Sequence, residues 1–170
     1  AMTYLWYEAK DREKAKRYIG LVRAADKFPD DLGLAALHAR MLKDEGDPRA
    51  AAKVLEDFST ANPDDELRQL AMARWYIRGR EPEKALSTLS RLEAKPDLPK
   101  KVVNTLNVYK VQALIGAQQY TEAKSAADDL IANPSTSTAG YLMKAALAFR
   151  ERDEKLGVEL LEKARESNPR

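Results

Sequence analysis

The amino-acid sequence predicts an all-α protein, a single domain of 170 residues built as a solenoid of about five helix-turn-helix repeats. Prolines follow runs of helix-forming residues at spacings of 34, 33, 38 and 35 residues, at Pro29, Pro63, Pro96, Pro134 and Pro169. A small residue recurs 11 to 14 residues before each proline, at Ala15, Ala51, Ala85, Ala123 and Gly157. The composition agrees, because 44% hydrophobic and 33% charged residues with only 7 glycines favour amphipathic helices.

Each repeat is expected to contain a first helix, helix A, and a second, helix B. The repeat bounds are about 1–31, 32–65, 66–99, 100–135 and 136–170. From the second repeat onward, apolar spacing and turn residues predict both helices of each repeat. Helix A is expected over about 32–45, 65–79, 100–118 and 138–152, and helix B over about 48–61, 82–95, 121–132 and 154–167. Gly46 is expected to supply a left-handed helix stop, and Pro82 suits a first helical turn. Two prolines between Lys95 and Pro99 predict an offset in the helical ladder.

Neighbouring repeats are expected to stack, because one pair of short helices cannot bury both of its apolar stripes. The first helix A of the pattern would begin before Ala1, and the last helix B is followed by no polar helix. Stacked repeat proteins normally cover such apolar ends. We therefore expect a part of a longer chain, or an assembly in which the uncapped ends associate with one another.

The residues that open helix B carry a resemblance to a known family. Glu83-Lys84-Ala85 and Tyr120-Thr121-Glu122-Ala123 each open a second helix within a unit of about 34 residues that ends near a proline. This pattern resembles the tetratricopeptide repeat over nearly the whole chain. Tyr141 matches the large aromatic residue of helix A, whereas Ala35 and Gln69 depart from it. The resemblance implies a right-handed α-α superhelix whose A helices line a concave groove that binds extended or helical segments.

Carried over repeat by repeat, the resemblance assigns partner-binding positions in that groove. These are Tyr4, Tyr7, Arg40, Lys43, Leu70, Arg74, Arg78, Val108, Gln112 and Leu142. They predict a trough with a basic N-terminal half and a more apolar C-terminal half. Arginine can hold a carboxylate through two parallel hydrogen bonds, so an acidic protein or peptide is the expected partner. The alternative is that these arginines and lysines only solvate a helix surface.

The sequence carries no pattern for catalysis, a metal or a cofactor. His38 is the only histidine and there is no cysteine, which excludes paired-histidine and thiolate metal sites. The carboxylate pairs Asp30-Asp31 and Asp64-Asp65 stand where helices begin, so capping explains them better than acid/base catalysis. No glycine-rich phosphate loop, membrane-spanning stretch or signal peptide is present. We therefore expect a protein that is not an enzyme.

The expected function is a protein-interaction scaffold of bacterial type. The net charge of +2 argues against specific nucleic-acid binding, and most of the aromatic residues are expected in the core. No repeat combines the lysine and asparagine of the chaperone-adaptor clamp, which disfavours that subtype. Two alternatives stay open: a structural spacer of a larger bacterial envelope or polysaccharide-export protein, and a regulatory domain of a multidomain protein. The sequence does not decide between cytoplasm and periplasm.

Overall fold

In a computed structural model, the chain folds into α-helices joined by short turns. The structure describes residues 11–24, 31–61 and 64–167, and no strand occurs among them. In chain order the helices are α1 Arg12–Ala24, α2 Leu32–Asp44, α3 Pro48–Ala61, α4 Glu66–Arg78, α5 Pro82–Glu93, α6 Lys100–Gly116, α7 Tyr120–Ala132, α8 Ser137–Arg150 and α9 Glu154–Glu166. The all-α prediction is confirmed, and the helix bounds expected from the second repeat onward agree to within two residues.

The chain divides into two compact units. The first extends to Arg68 and the second begins at Gln69, so the boundary falls within α4. In the first unit, α2 packs on α1 and α3, with a core of Ala15, Ile19, Leu37 and Met41. In the second, each helix from α5 onward contacts the next one along the chain, and α6 also contacts α8.

Aspartate side chains cap the starts of five helices in the described part of the chain. Asp31 Oδ1 accepts the amide N–H of Leu34 at 3.1 Å, and Asp65 Oδ1 accepts that of Arg68 at 2.9 Å. The same bond to the residue three positions later is made by Asp11, Asp47 and Asp153. Such caps satisfy amides that have no partner within the helix. The predicted capping role of Asp31 and Asp65 is confirmed, while Asp30 lies outside the described residues.

One turn geometry recurs four times, between α2 and α3, α4 and α5, α6 and α7, and α8 and α9. The second residue after each first helix has a positive φ: Gly46 at 87°, Arg80 at 60°, Gln118 at 62° and Arg152 at 65°. The amide of Gly46 donates to Lys43 O at 3.1 Å, and the next amide, that of Asp47, donates to Leu42 O at 2.9 Å. The other three turns repeat both bonds. This pair of bonds defines the Schellman motif, and the left-handed stop expected at Gly46 is confirmed.

The small residues that recur in the sequence lie where a second helix crosses its neighbours. Ala15, Ala85 and Ala123 are 0% exposed, Ala51 is 7% exposed and Gly157 is buried. At Gly157 a Cβ atom would lie 2.5 Å from Cε1 of Phe149, so the ring occupies the space that a side chain would need. The repeated small residue therefore allows the close approach that the sequence pattern predicts.

Apolar clusters follow one another along the second unit. The largest joins α4, α5 and α6 around Leu89, Leu92 and Leu106, each 1% exposed. Smaller clusters join α6, α7 and α8, and the last joins α8 to α9. Two of the helix pairs are also closed by a side-chain hydrogen bond: Asn133 Nδ2 donates to Asn104 Oδ1 at 2.9 Å, and the hydroxyls of Thr138 and Ser167 lie 2.8 Å apart.

Side-chain cations also join successive helices. Lys110 of α6 pairs with Glu93 of α5 at 2.8 Å, and Lys144 of α8 pairs with Asp128 of α7 at 2.6 Å. The two lysines occupy equivalent places, 34 residues apart. In the first unit, the buried guanidinium of Arg68 lies 4.4 Å from the centre of the Phe58 ring. Because exposed pairs contribute only about 0–1 kcal/mol each, the lysine pairs mainly fix the register of adjacent helices.

The recurring turn predicts that glycine is the better residue at its left-handed position. Gln118→Gly should raise the free energy of unfolding by about 0.5–1 kcal/mol, because a residue with a Cβ is strained at positive φ. Gly46→Ala should lower it by a similar amount, and no heavy atom lies within 4 Å of the added Cβ, so the effect isolates the backbone. Urea unfolding followed by circular dichroism measures both. Two unchanged midpoints would contradict the assigned turn geometry.

The contact between α7 and α8 predicts a large cost for one added methyl group. In Gly140→Ala, the new Cβ would lie 2.8 Å from both the carbonyl oxygen of Ala127 and Cγ1 of Ile131. Since backbone atoms of α7 cannot move aside singly, the free energy of unfolding should fall by about 1–3 kcal/mol. Gly20→Ala is the control, because no heavy atom lies within 4 Å of its Cβ. Thermal melts in which Gly140→Ala matches the parent would rule out this close approach.

Candidate ligand-binding cleft

The structure places the predicted groove residues in different environments. Exposed side chains are those of Arg40 and Lys43 on α2, Arg74 and Arg78 on α4, Gln112 on α6 and Leu142 on α8. Val108 is half-buried on α6. Leu70 is only 5% exposed and belongs to the core of α4, α5 and α6, so it supports α4 from within and presents no surface to a ligand. Tyr4 and Tyr7 lie outside the described residues.

A cleft of about 270 Å³ brings part of this set together in the second unit. It lies between the C-terminal ends of α4 and α6 and is lined by Ile77, Arg80, Pro82, Gln112, Ala113 and Gly116. Gln112 is therefore a predicted groove residue that lines the cleft. Arg74 lies three positions before Ile77 and four before Arg78, so it neighbours both of them on the surface of α4.

The recurring turn builds one wall of this cleft. Arg80 occupies the left-handed position after α4, with φ at 60°, and Pro82 begins α5. Opposite them, Gly116 ends α6, and a Cβ added there would lie only 3.3 Å from Cβ of Pro82. A side chain at residue 116 would therefore narrow the cleft, and glycine keeps it open.

The charge around the cleft is positive. Arg74, Arg78 and Arg80 are exposed, and none has an ion-pair partner in the described part of the chain. No carboxylate is among the lining residues. Next to Arg80 in the sequence, Glu81 pairs with Lys84 at 2.5 Å, so its charge is already balanced. The cleft therefore combines apolar walls with Arg80 in its lining, and two further arginines, Arg74 and Arg78, are exposed on α4, the helix that borders it.

The volume of the cleft limits what it can hold. Pockets for small molecules usually have about 300–1,000 Å³ and enclose most of the ligand. A cleft of about 270 Å³ that is open to solvent is suited to one apolar side chain of a longer ligand. The arginines would then meet acidic groups on the same segment, because paired guanidinium and carboxylate groups fix orientation.

Sequence reasoning missed four residues of the cleft, namely Arg80, Pro82, Ala113 and Gly116. It assigned groove positions only within the A helices, whereas Arg80 and Pro82 belong to the turn and to the start of α5. The sequence did contain a signal for Arg80, which lies 34 residues after Gly46 and so at the equivalent position of the next repeat. Placing the two in one repeat column would have shown a charged residue where glycine is expected.

The other candidate chemistries have structural explanations. His38 is half-buried on α2 and makes an interaction of its own. Asp128, which forms a further adjacent carboxylate pair with Asp129, is bound to Lys144. Residues 11–24, 31–61 and 64–167 contain no group of three or more acidic, histidine or cysteine side chains placed to hold a metal ion. Within the same residues, no helix has the length and hydropathy needed to cross a membrane.

Comparisons with known proteins find no match for this chain among protein-family models, curated proteins or solved structures. The candidate site therefore rests on the geometry and charge of the cleft itself.

Proposed function

We propose that the chain is a tetratricopeptide-like helical repeat protein that acts as a protein-interaction scaffold and has no catalysis of its own. In this proposal an acidic segment of a partner protein binds along α4 and α6 and inserts one apolar side chain into the cleft. The observation that carries it is the apolar cleft with Arg80 in its lining, beside the exposed Arg74 and Arg78 of α4; none of the three arginines has an ion-pair partner in the described part of the chain. The recurring turns, spaced by 34, 38 and 34 residues, support the repeat assignment.

The arginines and the cleft have complementary tasks in this binding mode. The guanidinium groups attract and orient carboxylates, which raises the association rate and fixes the register of the bound segment. Burial of one apolar side chain between Ile77, Pro82 and Ala113 then slows dissociation. Arg80 also bears on the conformation of the turn. Holding an arginine at positive φ costs conformational free energy, and strained backbone of this kind is often found at binding sites.

The first test reverses the charge of the cleft. The triple variant Arg74→Glu, Arg78→Glu and Arg80→Glu should lose proteins that the parent retains in affinity capture from the source organism. A matched control, Arg91→Glu, Lys100→Glu and Lys101→Glu, makes the same charge change at exposed positions away from the cleft. Synthetic acidic segments of a captured partner should bind the cleft variant at least about tenfold more weakly than the control. Equal retention by both variants would refute the proposal.

The second test separates binding from folding. Arg80→Gly and Gln118→Gly relieve the same backbone strain at equivalent turns, but only Arg80 lines the cleft. Both should stabilise the fold, by about 0.5–1 kcal/mol, and only Arg80→Gly should weaken binding of the acidic segment, by roughly three- to tenfold. Isothermal titration calorimetry and melting curves on the two variants check this. Equal affinity of the two variants would show that Arg80 does not contact the ligand.

A second candidate function is a structural spacer that assembles through the exposed face of α9. The observation that favours it is the exposure of Val158 at 52% and Leu161 at 41%, on the last helix of the described chain. Large apolar side chains grouped on one face of a helix commonly mark a contact surface.

A further inference from the structure

A stripe of four exposed side chains follows the length of α9. Glu154, Val158, Leu161 and Arg165 are separated by four, three and four positions, so they lie on one face of the helix. Val158 is 52% exposed and Leu161 is 41% exposed. The Phe149 ring, itself 41% exposed, covers Gly157 beside the stripe and extends its apolar surface.

The equivalent surface is covered at both earlier positions in the second unit. On α5, Leu89 packs in the cluster that contains Leu106 of α6, and Glu93 pairs with Lys110. On α7, Ala127 and Ile131 lie so close to Gly140 of α8 that a Cβ added there would be 2.8 Å from an atom of each. Leu161 occupies the place of Leu89 and Ala127 in its own helix pair. A helix is therefore the kind of element that this surface accepts.

The order of residues along the stripe makes it complementary to itself. When two copies of α9 run antiparallel about a two-fold axis between residues 159 and 160, Val158 faces Leu161 of the second copy. The same arrangement places Glu154 opposite Arg165 of the second copy, once at each end of the contact. We propose that the α9 stripe is an interface through which two copies of this chain form an isologous dimer.

The charged residues of the stripe support this choice of occupant. Neither Glu154 nor Arg165 has an ion-pair partner in the described part of the chain. Glu159 and Lys163, in contrast, pair with each other at 2.8 Å, and the ammonium group of Lys163 lowers the pKa of Glu159. The charges of Glu154 and Arg165 are thus available for a contact between copies.

The size of the contact sets the expected affinity. A helix of 13 residues is about 20 Å long, so the stripe buries less surface than the standard interface of about 1,600 Å². The dimer should therefore be weak and reversible, with a dissociation constant of about 10–500 μM. Dimerisation uses none of the cleft residues, so it stands or falls separately from the proposed binding of an acidic segment.

Sedimentation equilibrium of the 170-residue chain from about 1 μM to about 1 mM tests the proposal. The parent should change from monomer to dimer over this range. Glu154→Arg places two arginine pairs at the interface and Arg165→Glu places two glutamate pairs, so each variant alone should associate at least about tenfold more weakly.

An equimolar mixture of the two variants provides the decisive control. In the mixed dimer, one end contact joins the unchanged Arg165 of one copy to the unchanged Glu154 of the other, as in the parent. The other end contact joins the two substituted residues, with their charges exchanged. Association should therefore return to within about threefold of the parent. Mixing repairs no defect that either substitution causes within its own helix, so recovery isolates the contact between copies. A parent that stays monomeric, as expected if the stripe takes a helix of another protein, would overturn the proposal. Single variants that associate like the parent, or a mixture that fails to recover, would also overturn it.

Discussion

The close approach of helices at small residues is the constraint on which the described structure depends. Each second helix presents alanine or glycine at the crossing point, at Ala85, Ala123 and Gly157 in the second unit. Larger side chains there would separate the helices and expose the leucines that fill the spaces between them. The core is consequently a series of small clusters along the chain, each shared by helices that are close in sequence.

The turn between paired helices has the same geometry each time it recurs. Its left-handed residue reverses the chain within three positions, and its two amide bonds satisfy carbonyl groups at the end of the first helix. The chain uses glycine once, at Gly46, and arginine or glutamine at the other three turns. At Arg80 the same left-handed conformation closes the turn and places the residue in the wall of the cleft. Arg80 therefore serves both the fold and the candidate site.

Helix positions were predictable from the sequence because prolines, glycines and aspartates mark helix ends through local chemistry. Gly46 and Asp65 act within a few residues of themselves, so no tertiary information was needed. The faces of the helices were harder to assign. A helix turns by about 100° per residue, and a small rotation decides whether a side chain meets solvent or core. Leu70 is buried for this reason, although Arg74, one turn later, is exposed. Arg80 and Gly116 were not predicted as cleft residues, because a cleft between helices depends on distances between residues that are far apart in the sequence.

The contacts between successive helices have a consequence for the speed of folding. In the second unit the helices from α5 to α9 contact the next helix along the chain, and α6 also contacts α8. Chains whose contacts are this local close only short loops on the way to the native state, and they fold in microseconds to milliseconds. The side-chain bonds from Asn104 to Asn133 and from Thr138 to Ser167 each span 29 positions and tie one helix pair into a loop. Under a stretching force, such loops would open one after another, so the second unit should lengthen in steps of one helix pair.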